Sequence, residues 1–249
     1  MRDGVVGAML DSAQDVEPAL ASMHVAHLGL VPYERALTLQ RALARARIAG
    51  DIAEDVLLLL EHPPVVTLGR SSKAKNLVAS PALLAARGVE LFEAERGGDV
   101  TFHGPGQLVG YPIVNLREHK QDLHWYLRQV EEVLIRALGV IGIASERSEG
   151  RTGVWTEGRK IASIGVHARD WVTWHGFALN VSTDLSYFDL MVPCGLAGVT
   201  MTSVAKELGA SAPTLATVAN IVAASFGEVF SRAPAALEPD ALTAMLGAV

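Results

Sequence analysis

A mixed α+β domain is the fold class this sequence predicts, and two patterns in its 249 residues carry that reading. Short apolar runs of strand character crowd the middle of the chain. Amphipathic stretches with helix caps lie before, between and after them, without the strict strand–helix alternation of a doubly wound parallel sheet. Half of the residues are hydrophobic and 19% are charged, a balance that supports a packed core and argues against disorder.

Residues 1–23 lack periodicity and read as a weakly ordered extension. Pro32 opens a helix whose Ala36, Leu39, Leu43 and Ala46 share a face, and Gly50-Asp51 marks its exit. Val56 to Leu60 reads as a buried strand, Pro63-Pro64 breaks it, and Val65 to Leu68 reads as a second strand. Ser80-Pro81 is an N-cap followed by proline, and Gly88 closes that short helix. Val89–Phe92, Val100–Phe102 and Leu108–Val114 read as strands. Leu123, Leu127, Val130, Leu134 and Leu138 then recur at helical spacing, with Gly139 as the stop. Gly153–Trp155, Lys160–Ala168 and Trp171–Val181 read as strands, the last two joined at Arg169-Asp170. Helices are expected over Thr200–Leu208, from Pro213 with Leu215, Val218, Val222 and Phe226 on one face, and from Pro239. The expected organisation is an extension over 1–23, one domain over 24–209 and a helical tail over 210–249.

The formal net charge of −6 and an isoelectric point near 5.7 disfavour non-specific nucleic-acid binding. The single cysteine, Cys194, excludes an intramolecular disulfide and zinc sites built on several cysteines. No apolar run reaches the ~18 residues of a membrane helix. Arg2 is offset by Asp3 and the apolar stretch 4–10 is short, so no signal peptide is read. The expectation is a soluble cytoplasmic protein with no nucleic-acid or membrane partner.

Three segments carry candidate chemistry. The first, residues 96–107, runs Arg-Gly-Gly-Asp-Val-Thr-Phe-His-Gly-Pro-Gly-Gln. Its glycines permit either tight turns or close approach of a ligand to the backbone. It lacks the spacing of a dinucleotide fingerprint and the Gly-Lys-Ser/Thr of a phosphate loop. The second, residues 158–165, contains Lys160. Strand alternation places Lys160 with Ala162, Ile164 and Val166, and Ile161, Ser163, Gly165 and His167 on the other face. Taken by itself, Lys160 is either a strand-edge lysine with its ammonium in water or a partly desolvated lysine that tunes a neighbour. The third is Pro193-Cys194-Gly195, a turn in which the thiol is either a small buried group or a nucleophile. His24/His27 and His119/His124 do not have metal-site spacing, and His62 and His175 read as structural or ligand-facing.

In this order the segments resemble the lipoyl(octanoyl) transferase family, through Arg96–Gln107, the lysine segment 158–165, His175-Gly176-Phe177-Ala178-Leu179-Asn180-Val181 and Pro193-Cys194-Gly195. The resemblance runs from about His24 to Leu208. It implies one α+β domain of the biotin/lipoate protein ligase type. It implies transfer of an octanoyl group from octanoyl-acyl carrier protein to a lysine of lipoyl domains, those of 2-oxo acid dehydrogenase E2 subunits and the glycine cleavage H protein. Cys194 would hold the acyl group as a thioester and Lys160 would be its partner. The acyl site would be formed by Arg96, Gly97, Gly98, Asp99, Val100, Thr101, Phe102 and His103, by Ser163, Ile164 and Gly165, and by Gly176, Phe177 and Ala178, with His62 and Arg70 nearby. Val100, Phe102, Ile164 and Phe177 would line an apolar channel. No cofactor and no metal is implied. A basic rim for the acidic carrier protein is expected from Arg70, Lys73, Lys75, Arg147, Arg151 and Arg159. The alternatives are an ATP-dependent lipoate ligase of the same fold, an inert acyl- or lipoyl-domain-binding module, and a cysteine hydrolase.

Overall fold

The structure, a computed structural model, describes residues 20–192 and 198–247. In chain order its elements are β1 (Ser22–Leu30), α1 (Tyr33–Ala49), β2 (Asp55–Glu61), β3 (Val65–Leu68), α2 (Pro81–Ala86), β4 (Glu90–Glu93), β5 (Val100–His103), β6 (Gln107–Ile113) and α3 (Leu123–Val140). There follow β7 (Glu146–Ser148), β8 (Arg151–Thr156), β9 (Arg159–Arg169), β10 (Val172–Asn180), α4 (Val204–Leu208), α5 (Leu215–Phe230), β11 (Ala233–Ala236) and α6 (Pro239–Gly247). Eight strands form one mixed sheet in the order β11-β1-β2-β6-β10-β9-β8-β7, and β4-β3-β5 form a second. This is the expected α+β class.

The apolar run in β2 is unbroken because both faces of the sheet are covered. Val56, Leu58 and Leu60 pack toward α1 with Leu43 and Ala46, while Leu57 and Leu59 pack toward α3 and α5 with Leu134 and Phe226. The helix signals act as expected. Helix α1 follows Pro32 and stops at Gly50, whose φ of 87° is the left-handed C-cap conformation. Side chains of Ser80, Asp122 and Thr214 accept hydrogen bonds from the first-turn amides of α2, α3 and α5. No single described helix is long and apolar enough to cross a membrane.

Other parts depart from the sequence reading. Helix α3 runs through Gly139 to Val140. Strand β1 starts at Ser22, inside the stretch read as an extension, and buries Met23 completely. Its two histidines and Gly29 mask the alternation. The segment after Gly209 closes the larger core, with Val218, Val222, Phe226 and Phe230 of α5, and β11 pairs in parallel with β1. Pro234 is compatible with that strand because β11 is at the sheet edge. The turn into β10 centres on Asp170 and Trp171, both at positive φ (51° and 63°), the two-residue turn that suits a twisted hairpin. The helix expected from Thr200 begins only at Val204, capped by the Ser203 hydroxyl.

The departure that matters most lies in β9. Val154 pairs with Ala162 and its neighbour Trp155 with Lys160, so Ile161 is an extra residue, a β-bulge. Ile161 and Ala162 both enter the larger core. Lys160 is thereby turned away from Ala162, onto the face of Ser163 and Gly165, where all three line a cavity. Bulges re-aim side chains in this way beside functional sites.

Candidate active site

The cavity has a volume of about 250 Å³ and lies between the 96–103 segment, β9 and β10. The structure brings Arg96, Gly98, Asp99, Val100, Thr101 and His103 together with Lys160, Ser163, Ile164, Gly165, Gly176, Phe177 and Ala178 around it. Two expected residues stand outside it. The Phe102 ring points to the far side of β5 and stacks on Tyr187 at 4.5 Å. It therefore gives the channel no wall. Gly97 serves the loop, its amide donating to the Val166 carbonyl at 2.9 Å. Cys194 lies outside the described residues.

The glycine-rich loop is built by backbone bonds from residues 69–71. The amides of Gly69, Arg70 and Ser71 donate to the carbonyls of Asp99, Arg96 and Gly98. Gly69 is required, since a Cβ there would stand 2.4 Å from the Gly98 oxygen. The buried Arg96 guanidinium donates to the Thr67 hydroxyl and carbonyl and to the Gly97 carbonyl. Asp99 accepts from the Val100 amide and from Asn76 Nδ2.

Lys160 is 2% exposed. Its Nζ lies over the Trp155 ring, 5.5 Å from the centroid, a favourable seat for an ammonium. Its backbone ties two parts of the chain together. The Lys160 amide donates to the Thr200 carbonyl at 2.8 Å, and the Thr202 amide donates to the Lys160 carbonyl at 2.9 Å. On the other side of residues 193–197, the Val192 amide donates to the Asn76 carbonyl at 2.7 Å. One flank of the cysteine segment is thus bonded to the cavity residue Lys160, and the other to Asn76, whose side chain holds the cavity residue Asp99.

Histidines make the inner end. Gln107 Nε2 donates to Phe102 O and Asn180 Oδ1, so its Oε1 must accept from His103 Nδ1 at 2.7 Å. His103 is therefore the Nδ1–H tautomer, and burial lowers its pKa to about 3. His62 lies behind the cavity and donates from Nδ1 to the Val31 carbonyl, leaving Nε2 to accept from the Tyr111 hydroxyl at 2.7 Å. Burial lowers its pKa to about 4. His175 lines the cavity at a φ of 56°, which turns its ring edge-on to Tyr111. Burial also lowers its pKa. Its Nε2 stands 3.8 Å from Glu95, a carboxylate held below its ordinary range by His175, by the Arg41 fork and by the Trp174 indole.

Sequence reasoning missed Tyr33, Tyr111, Gly150 and Thr152, which also line the cavity, as does Arg151, expected on the basic rim. Tyr33 and Tyr111 sit among core residues at helix and strand spacing, so nothing local distinguishes them. Of the expected basic rim, Arg147 is paired with Glu131 and Glu132, and Arg159 with Glu157 and Glu207. Arg70, Lys73 and Lys75 are exposed and, like Arg151 at the cavity edge, have no carboxylate within ion-pair distance among the described residues. Among those residues no group of three or more His, Cys, Asp or Glu side chains could hold a metal ion.

These features match known proteins over most of the chain. The lipoyl protein ligase A/B catalytic domain family matches residues 32–227. An octanoyltransferase of Koribacter versatilis is 54% identical over 213 residues, 84% of each chain. One of Gloeobacter violaceus is 50% identical over 218 residues, 88% of this chain and 93% of its own. Among solved structures, a lipoate-protein ligase A bound with ATP superposes with a TM-score of 0.74 at 15% identity, covering 92% of this chain and 93% of that one. A bipartite lipoate protein ligase of Thermoplasma acidophilum gives 0.71 at 15% identity, covering 92% and 91%. The ligases share the fold; the sequence kinship is with the transferases. The chain belongs to the octanoyltransferases, acyltransferases built on the lipoyl protein ligase A/B catalytic domain.

Proposed function

We propose that the chain takes an octanoyl group from octanoyl-acyl carrier protein onto Cys194 as a thioester and passes it to one lysine of a lipoyl domain, in E2 subunits and the glycine cleavage H protein. The observation that carries this reading is the buried Lys160 ammonium at the point where the cysteine segment is anchored. The Lys160 amide and carbonyl bond residues 200 and 202, and the Val192 amide bonds the Asn76 carbonyl, while the Asn76 side chain holds the cavity residue Asp99, so both flanks of the cysteine segment are fastened beside the site.

The chemistry follows from that pairing. A free thiol near pKa 8.5 is mostly protonated at pH 7, and an adjacent ammonium favours the thiolate. The Cys194 thiolate attacks the donor carbonyl, the new C–S bond forms, and the carrier leaves as a thiol with a proton from Lys160. Neutral Lys160 then accepts a proton from the acceptor amine as it attacks the acyl-enzyme. The amide forms, and Cys194 leaves again as the thiolate beside the restored ammonium. Exchange between thioesters needs no ATP. His103, with a pKa of about 3, is a poor base at neutral pH, which leaves the proton work to Lys160. Ile164, Phe177 and Ala178 offer the apolar wall for the chain. The exposed Arg70, Lys73, Lys75 and Arg151 face the acidic carrier. A thiolate nucleophile needs a reducing compartment, so we place the reaction in the cytoplasm.

The test is transfer of octanoate from octanoyl-acyl carrier protein to an isolated lipoyl domain, followed by mass spectrometry without ATP. Transfer that needs no ATP supports the reading. Modification only with free acid and ATP would make the chain a ligase instead.

A further inference from the structure

The helix α3 carries a carboxylate that the reaction above does not use. Glu131 is completely buried. Its Oε2 receives Arg128 at 2.6 Å and stands 3.2 Å from Arg147. Its Oε1 accepts the backbone amide of Gly153, on β8, at 3.0 Å. Buried carboxylates on helices are rare because desolvation penalises them. This one has a specific purpose in reach, since Gly153 is the residue over which Lys160 is laid. A Cβ built on Gly153 would stand 2.8 Å from Lys160 Cε and 3.3 Å from Nζ, and 2.7 Å from the Ala162 carbonyl. The φ of Gly153, 133°, is open to glycine and unfavourable for other residues. Just beyond it, β8 pairs with the bulge that turns Lys160 toward the cavity.

We propose that Glu131 is a positioning residue for Lys160. It clamps the Gly153 backbone from behind, so that the bulge and the lysine stem keep one geometry. Arg128 and Arg147 hold the carboxylate in turn. They are 44% and 37% exposed, so the clamp reaches from solvent to the lysine through a single side chain. The role rests on the Cys194–Lys160 reading, and the test separates the two.

Cys194 is the only cysteine, so the pH dependence of alkylation by iodoacetamide reports its thiol alone. It is measured on the full chain, together with the rate of acyl-enzyme formation and the melting temperature. In the wild type the midpoint should lie below the ordinary value of about 8.5 and should rise in Lys160→Ala. Glu131→Ala should raise the midpoint by about one unit and slow acyl-enzyme formation about 10- to 100-fold. Glu131→Gln keeps an amide oxygen for the Gly153 amide but turns a donor toward Arg128 and Arg147, and should fall between the wild type and Glu131→Ala. If Glu131→Ala is insoluble, Glu131→Met, which fills the space with an apolar chain of similar length, is read the same way. A Glu131→Ala or Glu131→Met protein with a lower melting temperature but the wild-type midpoint and rate would make the residue merely structural and overturn the proposal. So would a Glu131→Gln protein slower than the alanine variant. A wild-type midpoint at the ordinary thiol value, unmoved in Lys160→Ala, would defeat the Cys194–Lys160 reading itself.

Discussion

The Cε of Lys160 lies 2.8 Å from the position that the Cβ of any residue other than glycine would occupy at 153. The lysine stem and the glycine backbone are therefore one packing unit. Gly153→Ala should displace the ammonium and add strain at a φ of 133°, about 1–3 kcal/mol. The melting temperature should fall by a few degrees, while the transfer rate drops about 100-fold, the scale of a 1 Å misplacement. Parallel melting curves and steady-state rates check this. An alanine variant with the wild-type rate would contradict it.

Asp55, 1% exposed, gathers Arg47, Arg232, His119 and the Asn115 amide at the start of β2. Burial pushes its pKa up, but His119, the Asn115 amide and Arg47 outweigh this and hold it below the ordinary value. Its contribution to stability is present above the unfolded aspartate value of about 3.9 and is lost as pH falls through the lower folded value. Asp55→Asn should cost about 3–5 kcal/mol at pH 7 by leaving buried cations uncompensated. Urea titrations of both proteins at pH 7 and pH 3 check the sign, because the gap between them should narrow in acid.

The two inner histidines are held neutral by burial, His62 with a pKa of about 4 and His103 of about 3. Unfolded histidine takes up a proton near pH 6.5. Each site is thus fully stabilising above that pH and loses its contribution as pH falls toward the folded value. Ring NMR signals should show both uncharged at pH 6. Tyr111→Phe removes the donor to His62 Nε2 and should cost about 1–3 kcal/mol, seen as a lower denaturation midpoint.

Charge reversal at Arg70, Lys73 and Lys75 should raise the KM for the carrier substrate about tenfold, leave kcat nearly unchanged and flatten the salt dependence. Reversal at Arg159, which is tied to Glu157 and Glu207, should affect stability and leave the salt dependence alone. Initial rates across a salt series distinguish the two.

Much of the fold was legible because local signals agreed with it. Pro32 and Gly50 bound α1, Ser80 caps α2, and the unbroken apolar run of β2 announces a sheet covered on both faces. The lining of the site was legible as segments, and its orientation was not. Strict alternation sides Lys160 with Ala162, and one extra residue in β9 reverses that. Alternation along β5 separates Thr101 and His103 from Phe102, and only the small sheet in place shows which of the two faces meets the cavity. His175 reaches the cavity at a left-handed φ, which strand alternation does not anticipate. Strands β1 and β11 are set by their neighbours, since neither sequence alternates cleanly.

The central claim is covalent, and intact-mass spectrometry addresses it directly. The protein is incubated with octanoyl-acyl carrier protein in the absence of an acceptor, alongside Cys194→Ala and Lys160→Ala. The account predicts one octanoyl adduct on the wild type, none on Cys194→Ala and slow formation on Lys160→Ala. No adduct on the wild type, or an equal adduct on Cys194→Ala, would contradict it.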